Sequence, residues 1–223
     1  MTVRSNTDYY ISDESVNTFV RACREAAQRG LMRCSSGNLS WRVDAERMLV
    51  TATRSWAGRL TADDVVLMRI ADGTVLEGRD PTIEVAFHAG ILRARPDIDV
   101  VMHFQTTYAT MLACQDAERI NYFVIPEIPV YIGSIGHVPF RTPGSSELAE
   151  AVIDAMREHD LAIMANHGQV TVARDLDSAI QNAEFFELAC QIIVQSGNDV
   201  RPLAPEAVRE LLAMRANASR PGV

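Results

Sequence analysis

The stretch PTIEVAFHAGILRARPDIDVVMHFQTTYATMLAC, residues 81–114, decides the fold because it places polar side chains on two predicted rigid elements. Apolar residues at helical spacing, with a proline on either side, predict a helix over residues 82–94. A short apolar run predicts a buried strand over residues 99–104. Four polar side chains lie on or directly after these elements: Glu84, His88, His103 and Gln105.

His103 and Gln105 are two positions apart, so both point to the same face of a strand. Polar groups at the end of an apolar strand need partners, and a metal ion is one partner that imidazole and a carboxylate share. The other interpretation is a histidine held by ordinary hydrogen bonds. These residues alone leave both interpretations open.

Composition indicates one globular domain spanning residues 1–223. The chain is 48% hydrophobic and 22% charged, which is enough apolar material for a sizeable core. A net charge of −8 without a basic cluster argues against nucleic acid or an anionic membrane as the partner.

The expected compartment is the cytoplasm. No apolar run approaches the roughly 20 residues of a membrane span, and residues 1–10 lack the apolar core of a signal peptide. The four cysteines are isolated and show no CxxC spacing, which predicts reduced structural thiols.

The rest of the chain alternates between predicted helices and strands. Helices are expected over residues 13–28, from a cap at 143–146 to about 159, over 175–195 and over 202–216. Strands are expected over residues 39–43, 47–51, the latter part of 63–70, 74–76, 137–140, 161–165 and 169–173. Two prolines within residues 120–132 predict a loop or an edge segment, and Glu184 and Glu187 on the last long helix are expected to be solvated.

Polar loops follow several of these strands. A Ser-Gly-Asn loop containing Gly37 and Asn38 offers backbone N–H groups and an amide to an anionic or hydroxylated ligand. It is equally typical of an ordinary tight turn. Thr53 and Arg54 lie in a second polar strand exit, and His167 lies in an Asn-His-Gly turn between two apolar strands.

Taken together, the segments SSGNLSWR, residues 81–110, TPGSSELAEAV and ANHG resemble, in order, the class II aldolase/adducin family, which includes fuculose-phosphate aldolases and ribulose-phosphate 4-epimerases. The resemblance covers about residues 14–196. It implies a three-layer αβα fold with a central, mostly antiparallel sheet. It also implies a homotetramer with active sites between subunits.

The resemblance implies a divalent metal, usually Zn²⁺, held by histidines and a carboxylate. His103, His167 and Glu84 match family ligands, while Gln105 stands where a further histidine is expected. Either Gln105 is a fourth or outer ligand, or the affinity is reduced and Mn²⁺, Mg²⁺ or Fe²⁺ competes. His137 is the rival candidate to complete the site.

The resemblance also implies an anion site for a small-molecule substrate. Arg54 replaces a glycine of the family pattern and either donates to an anion or is solvated. Ile83 replaces a serine, which removes one hydroxyl. The residues that match or replace this site are Gly37, Asn38, Thr53, Arg54 and Thr82.

The function expected from the resemblance is a metal-dependent lyase that cleaves a sugar phosphate or hydroxy-keto acid by a retro-aldol reaction. Glu84 is the expected base, and Tyr122 is the expected acid, reaching a neighbouring subunit's site. Decarboxylation or epimerisation on the same site is the alternative, since all three reactions pass through a stabilised enolate. A non-enzymatic, adducin-like scaffold is the third possibility.

Overall fold

The structure, a computed structural model, describes residues 11–197 and 199–218. The expectation about a signal peptide concerns residues 1–10 and lies outside them. Among the described residues, no helix combines the length and apolar character that a membrane-spanning segment requires.

Six helices and eight strands are present in the described ranges. The helices are α1 Asp13–Gln28, α2 Val85–Ala94, α3 Thr107–Ala113, α4 Ser146–Met156, α5 Leu176–Gln195 and α6 Pro205–Ala218. The strands are β1 Asn38–Arg42, β2 Arg47–Thr51, β3 Val65–Arg69, β4 Val75–Glu77, β5 Val100–Phe104, β6 Ile135–Val138, β7 Leu161–Met164 and β8 Gly168–Ala173.

All eight strands form one sheet in the order β4-β3-β2-β1-β5-β8-β7-β6. Only β6 and β7 pair in parallel, and the other neighbours are antiparallel. Side chains alternate between the two faces, so one face packs with α1, α3 and α5 and the other with α2 and α4. The three-layer αβα fold with a mostly antiparallel sheet is confirmed.

The centre of the sheet positions the candidate site. Asn38 on β1 lies opposite His103 on β5, and His103 lies opposite Val170 on β8. Their side chains share the face covered by α2. The start of α2 therefore lies over the ends of three adjacent strands.

Two segments differ from the expectations. Helix α3 was not predicted, because part of what stabilises its first turn comes from a distant residue, Glu187, as described below. Residues Ile128–Ile132 form a π-helical turn instead of the predicted loop or edge segment. Pro129 is compatible with it because the first turn of a helix does not use its N–H groups, and Pro126 lies before the turn.

Candidate metal centre

Three side chains from separate segments converge beside the start of α2. One ligand atom from each of Glu84, His103 and His167 lies within 4.8 Å of the others. Glu84 Oε2 is 3.6 Å from His103 Nε2, and Glu84 Oε1 is 3.4 Å from His167 Nε2. Tetrahedral zinc with nitrogen and oxygen ligands holds them about 3.3–3.4 Å apart, so the spacing fits a cation.

His103 is fixed by the sheet. Its ring is buried, and Nδ1–H donates a 2.9 Å hydrogen bond to the carbonyl oxygen of Gln169 on the neighbouring strand. This bond selects the tautomer in which Nε2 carries the lone pair. Nε2 therefore faces Glu84 with its lone pair free to bind a metal, which is the arrangement typical of a metal-ligating histidine.

His167 is held through its backbone. The turn before β8 places Asn166 in the left-handed region at φ 56°, which asparagine tolerates well. Gln105 Nε2 donates a 2.9 Å hydrogen bond to the carbonyl oxygen of His167. The Nδ1 atom of His167 is buried and has no hydrogen-bond partner among the described residues.

The ionisation of His167 suits a ligand. Burial lowers its pKa to about 4; nearby His103 also lowers it and Glu84 opposes the shift. The imidazole is therefore neutral near pH 7, as coordination requires.

Glu84 lies at the residue before α2, not within the helix as predicted. Its Oε2 accepts a 2.9 Å hydrogen bond from Asn38 Nδ2. Its Oε1 is buried without a hydrogen-bond partner among the described residues. Each carboxylate oxygen lies beside one imidazole nitrogen, and a buried oxygen without a partner is costly unless a cation or proton satisfies it, so the residues present fit a divalent metal.

Two glycines allow this close packing. A Cβ on Gly168 would lie 2.7 Å from Gln105 Cγ and 3.0 Å from His103 Cε1. Gly37 has φ 79°, and a Cβ there would lie 2.9 Å from the carbonyl oxygen of His103. Each position therefore needs glycine to bring its loop against β5.

The loops predicted to bind an anion lie together. A bridge between Ala52 and Pro81 joins the exit of β2 to the segment before α2. Here Thr53 N–H donates to Asp80 O at 2.9 Å, and Thr82 N–H donates to Thr51 O at 3.0 Å.

The side chains of these loops differ in their exposure and in whether they are already hydrogen-bonded. Arg54 is exposed, with φ 58°, in the conformation that explains the glycine of the family pattern. Thr82 is buried. The amide of Asn38 is engaged by Glu84 and is not directed at an incoming anion.

Tyr122 and His137 do not join the cluster. Tyr122 is buried within its own chain, its hydroxyl donates a long 3.4 Å bond to Ala117 O, and its ring packs 5.3 Å from that of Phe186. Burial raises the pKa of Tyr122. His137 lies 6.3 Å from the Tyr122 ring and is not among the described residues that group as metal ligands.

Two contributions were missed by sequence reasoning. Gln105 supports the turn of His167 through its amide N–H, whereas the sequence suggested an oxygen ligand. The prediction that Glu187 is solvated is wrong, because its carboxylate accepts from the N–H groups of Tyr108 and Ala109 at 3.0 and 2.8 Å. The uncapped, polar Thr-Thr start of α3 is the only local signal for such a partner.

Glu184 is partly exposed and pairs with Arg29 at 2.9 Å.

A cavity of about 570 Å³ opens beside Gln105. Arg33 lines it and donates to Thr107 Oγ1 at 2.6 Å. Arg33 was not among the predicted site residues.

Known proteins resemble this chain over most of its length. The class II aldolase and adducin N-terminal domain family matches residues 17–194. The 3-oxo-tetronate 4-phosphate decarboxylase of Haemophilus influenzae is 31% identical over 196 residues, covering 86% of this chain and 93% of the relative. The L-fuculose phosphate aldolase of Methanocaldococcus jannaschii is 33% identical over 169 residues, covering 76% and 90%.

A solved L-fuculose 1-phosphate aldolase shares the fold. It superposes with a TM-score of 0.81 at 27% identity, covering 91% of this chain and 96% of that structure.

Proposed function

The chain belongs to the class II aldolase and adducin family, and on that premise we propose that it is a divalent-metal-dependent carbon–carbon lyase acting on a small phosphorylated substrate. The observation that carries the proposal is the convergence of Glu84, His103 and His167. A scaffold without a metal has no physical reason to retain three buried, converging ligands with one carboxylate oxygen unsatisfied. The adducin-like alternative is therefore disfavoured.

We place decarboxylation of a phosphorylated 3-oxo acid first and retro-aldol cleavage of a sugar phosphate second. Both reactions break a carbon–carbon bond next to a carbonyl group and leave an enolate. The decarboxylase relative covers more of this chain than the aldolase relative, which favours the first reaction. The aldolase relative and the aldolase fold keep the second as a candidate.

In this proposal, Glu84, His103 and His167 hold the metal, with Zn²⁺ as the first choice for a two-histidine, one-carboxylate set. A bound divalent ion would supply positive charge that stabilises the enolate oxygen as a Lewis acid. The Glu84 carboxylate, whose Oε1 is free of protein hydrogen bonds among the described residues, would both help to hold the metal and accept or return the proton. The sheet holds His103 in place, and Gln105 holds the turn of His167.

Substrate anion binding is assigned to the loops beside the cluster. The backbone at Gly37 and Asn38 and the side chains of Thr53, Arg54 and Thr82 would surround a phosphate. Arg54 would supply a charge-assisted donor. Its left-handed backbone places it where the family pattern has glycine, at a cost of about 1–2 kcal/mol, which a role in binding would explain.

The proposal extends to assembly and location. Large apolar side chains are exposed: Ile83, next to Glu84 in the chain, is 64% accessible, Met111, in the cavity beside Gln105, is 46% accessible, and Phe140 is 54% accessible. Such exposure is typical of surfaces covered by another subunit, which supports a homotetramer with shared sites. Four cysteines without disulfides support a cytoplasmic location. Tyr122 remains a predicted acid, although its burial in its own chain does not favour that role.

The test is metal analysis of protein purified without chelator or metal resin, followed by assays with 3-oxo-tetronate 4-phosphate and L-fuculose 1-phosphate. Release of CO₂ supports decarboxylation, and release of an aldehyde supports aldol cleavage. Glu84→Gln is the test variant, because it keeps the side-chain shape but removes the carboxylate that serves as ligand and base. Absence of bound metal, or full turnover in Glu84→Gln, would overturn the proposal.

A further inference from the structure

A buried chain of hydrogen bonds leads away from Glu84. Asn38 Nδ2 contacts Glu84 Oε2 at 2.9 Å, and Asn38 Oδ1 contacts His88 Nε2 at 2.5 Å. His88 Nδ1 then contacts Ser40 Oγ at 2.8 Å. All four side chains are buried, and Ser40 and His88 are fully inaccessible.

The secondary structure explains why these groups meet. Glu84 and His88 are four positions apart at the start of α2, so they lie on one side of the helix. Asn38 and Ser40 are two positions apart on β1, so they lie on one face of the sheet. The helix packs over this face, and each strand residue meets the helix residue beside it.

The direction of every hydrogen bond follows from the carboxylate at the end. An ionised Glu84 only accepts, so Asn38 presents its NH₂ to Glu84 and its carbonyl oxygen to His88. His88 Nε2 must then carry the proton that it donates to Asn38. In a neutral ring, Nδ1 then accepts from the Ser40 hydroxyl, and the imidazole has one tautomer.

We propose that His88 is a positioning residue that acts through Asn38 to orient Glu84. His88 Nε2–H holds the amide of Asn38 with its NH₂ towards Glu84 Oε2, which leaves Oε1 free beside His167. Both ring nitrogens are used within this chain of bonds, so His88 is not itself a metal ligand. The orientation stands on the geometry alone, and its effect on the metal rests on the proposed function.

The reversed orientation of the Asn38 amide is unfavourable. If the Asn38 amide were reversed, its carbonyl oxygen would face a carboxylate oxygen, and its NH₂ would face the imidazole nitrogen. Two buried acceptors would then oppose each other without a proton. Burial lowers the pKa of His88 to about 3, with a further contribution from His103, in agreement with a neutral ring.

The first experiment determines the tautomer in chelator-treated wild-type protein labelled with ¹⁵N. Long-range proton–nitrogen spectra report which ring nitrogen of each of the five histidines carries a proton, and the signal lost in His88→Gln assigns His88. We expect the Nε2–H form. The Nδ1–H form, or a doubly protonated ring at pH 7, would overturn the proposal.

The second experiment compares two amide replacements at one position. The side-chain amide of glutamine reaches the place of Nε2 and can donate to Asn38, whereas that of asparagine reaches only the place of Nδ1. We expect His88→Asn to weaken zinc binding by about 10- to 100-fold, the range for losing a hydrogen-bonding support of a metal ligand. His88→Gln should keep the affinity within about threefold of the wild type, which is below the range for losing a supporting hydrogen bond.

If His88 had a purely structural role, the two variants would not differ in zinc affinity. Both variants would then lose thermal stability to a similar extent and bind zinc with equal affinity when folded, and that result would overturn the proposal. The tautomer is measured on the wild type, and a variant is needed only to assign one signal, for which either His88→Gln or His88→Asn serves, whichever folds. If the wild type binds no metal but shows Nε2–H, the proposed function fails while the orientation of Asn38 by His88 stands.

Discussion

His103 and His167 present the same atom, Nε2, to the same carboxylate, yet the chain holds them differently. His103 lies within β5, and its other nitrogen is fixed by a backbone carbonyl of β8. His167 lies in a turn, and its other nitrogen has no partner among the described residues. It is held through its backbone, by hydrogen bonds to Met164 and Gln105. The strand-held side of the cluster, at His103, is preorganised by the sheet, whereas the turn-held side, at His167, depends on a few hydrogen bonds to its backbone.

Removing a metal ligand from either side should have the largest effect on zinc binding of all the changes considered. We expect His103→Ala and His167→Ala each to weaken zinc binding by more than about 100-fold, beyond the loss caused by removing a supporting hydrogen bond. Titration against a competing chelator measures this. His137→Ala is the control and should bind zinc normally. Metal loss in His137→Ala together with full binding in His167→Ala would contradict the ligand assignment.

Gly168→Ala should disturb both sides at once. The added methyl group would press on Gln105, on the carbonyl oxygen of Phe104 and on the ring of His103. Overpacking of this kind costs about 1–3 kcal/mol of the free energy of unfolding, and zinc affinity should fall with it. Urea denaturation and zinc titration are the measurements.

Gly58→Ala is the matched control, since a Cβ there meets only Ala27 at an ordinary 3.6 Å. Equal stability of the two variants would show that β5 and the turn are not in tight contact.

Gln105→Met tests the support of the turn-held side alone. Methionine keeps the length of the side chain but has no N–H to donate to the carbonyl oxygen of His167. We expect zinc affinity to fall by about tenfold, with little change in the ring of His103 as seen by NMR. An unchanged affinity would mean that the turn holds His167 without Gln105.

Of these changes, acidification should have the smallest and most gradual effect. It should lower the stability of the metal-free protein through His167, on the turn-held side. Because the pKa of His167 is lowered to about 4 in the folded protein, the unfolded chain binds more protons between pH 6.5 and pH 4. Stability without metal should therefore fall as the pH drops through this window, by at most about 1.4 kcal/mol per pH unit from this group. Urea denaturation of the chelator-treated protein at several pH values measures the slope.

His167→Gln should show a flatter dependence on pH over the same window. An identical slope would show that His167 does not titrate as its burial predicts.

The helices and strands that could be predicted from the sequence are those defined by the spacing of neighbouring residues. Helix α1 and strand β2 have the predicted bounds, and β5 differs by one residue, because apolar spacing and flanking turns define them. The convergence of Glu84, His103 and His167 was anticipated through the resemblance. Spacing alone left both a metal and a hydrogen-bonded histidine open, with the hydrogen-bonded histidine favoured.

Contacts between distant segments were not predictable in this way. The cap that Glu187 provides for α3 depends on how α5 packs, and the bond from Gln105 to His167 depends on the pairing of β5 with β8. The direction of the Asn38 amide follows only once β1 and α2 are seen together. Each of these depends on tertiary packing, which short sequence patterns do not encode.

The three cluster residues come from the start of α2, from β5 and from the turn before β8, so an unfolded chain does not present them together. An ion that binds the cluster therefore binds the native state alone, and mass action adds to native stability about 2.7 kcal/mol when the ion is present at 100 times its dissociation constant. Melting temperature thus becomes a measure of affinity. Scanning divalent ions by thermal shift would rank Zn²⁺, Mn²⁺, Mg²⁺ and Fe²⁺ for this protein before any substrate is known.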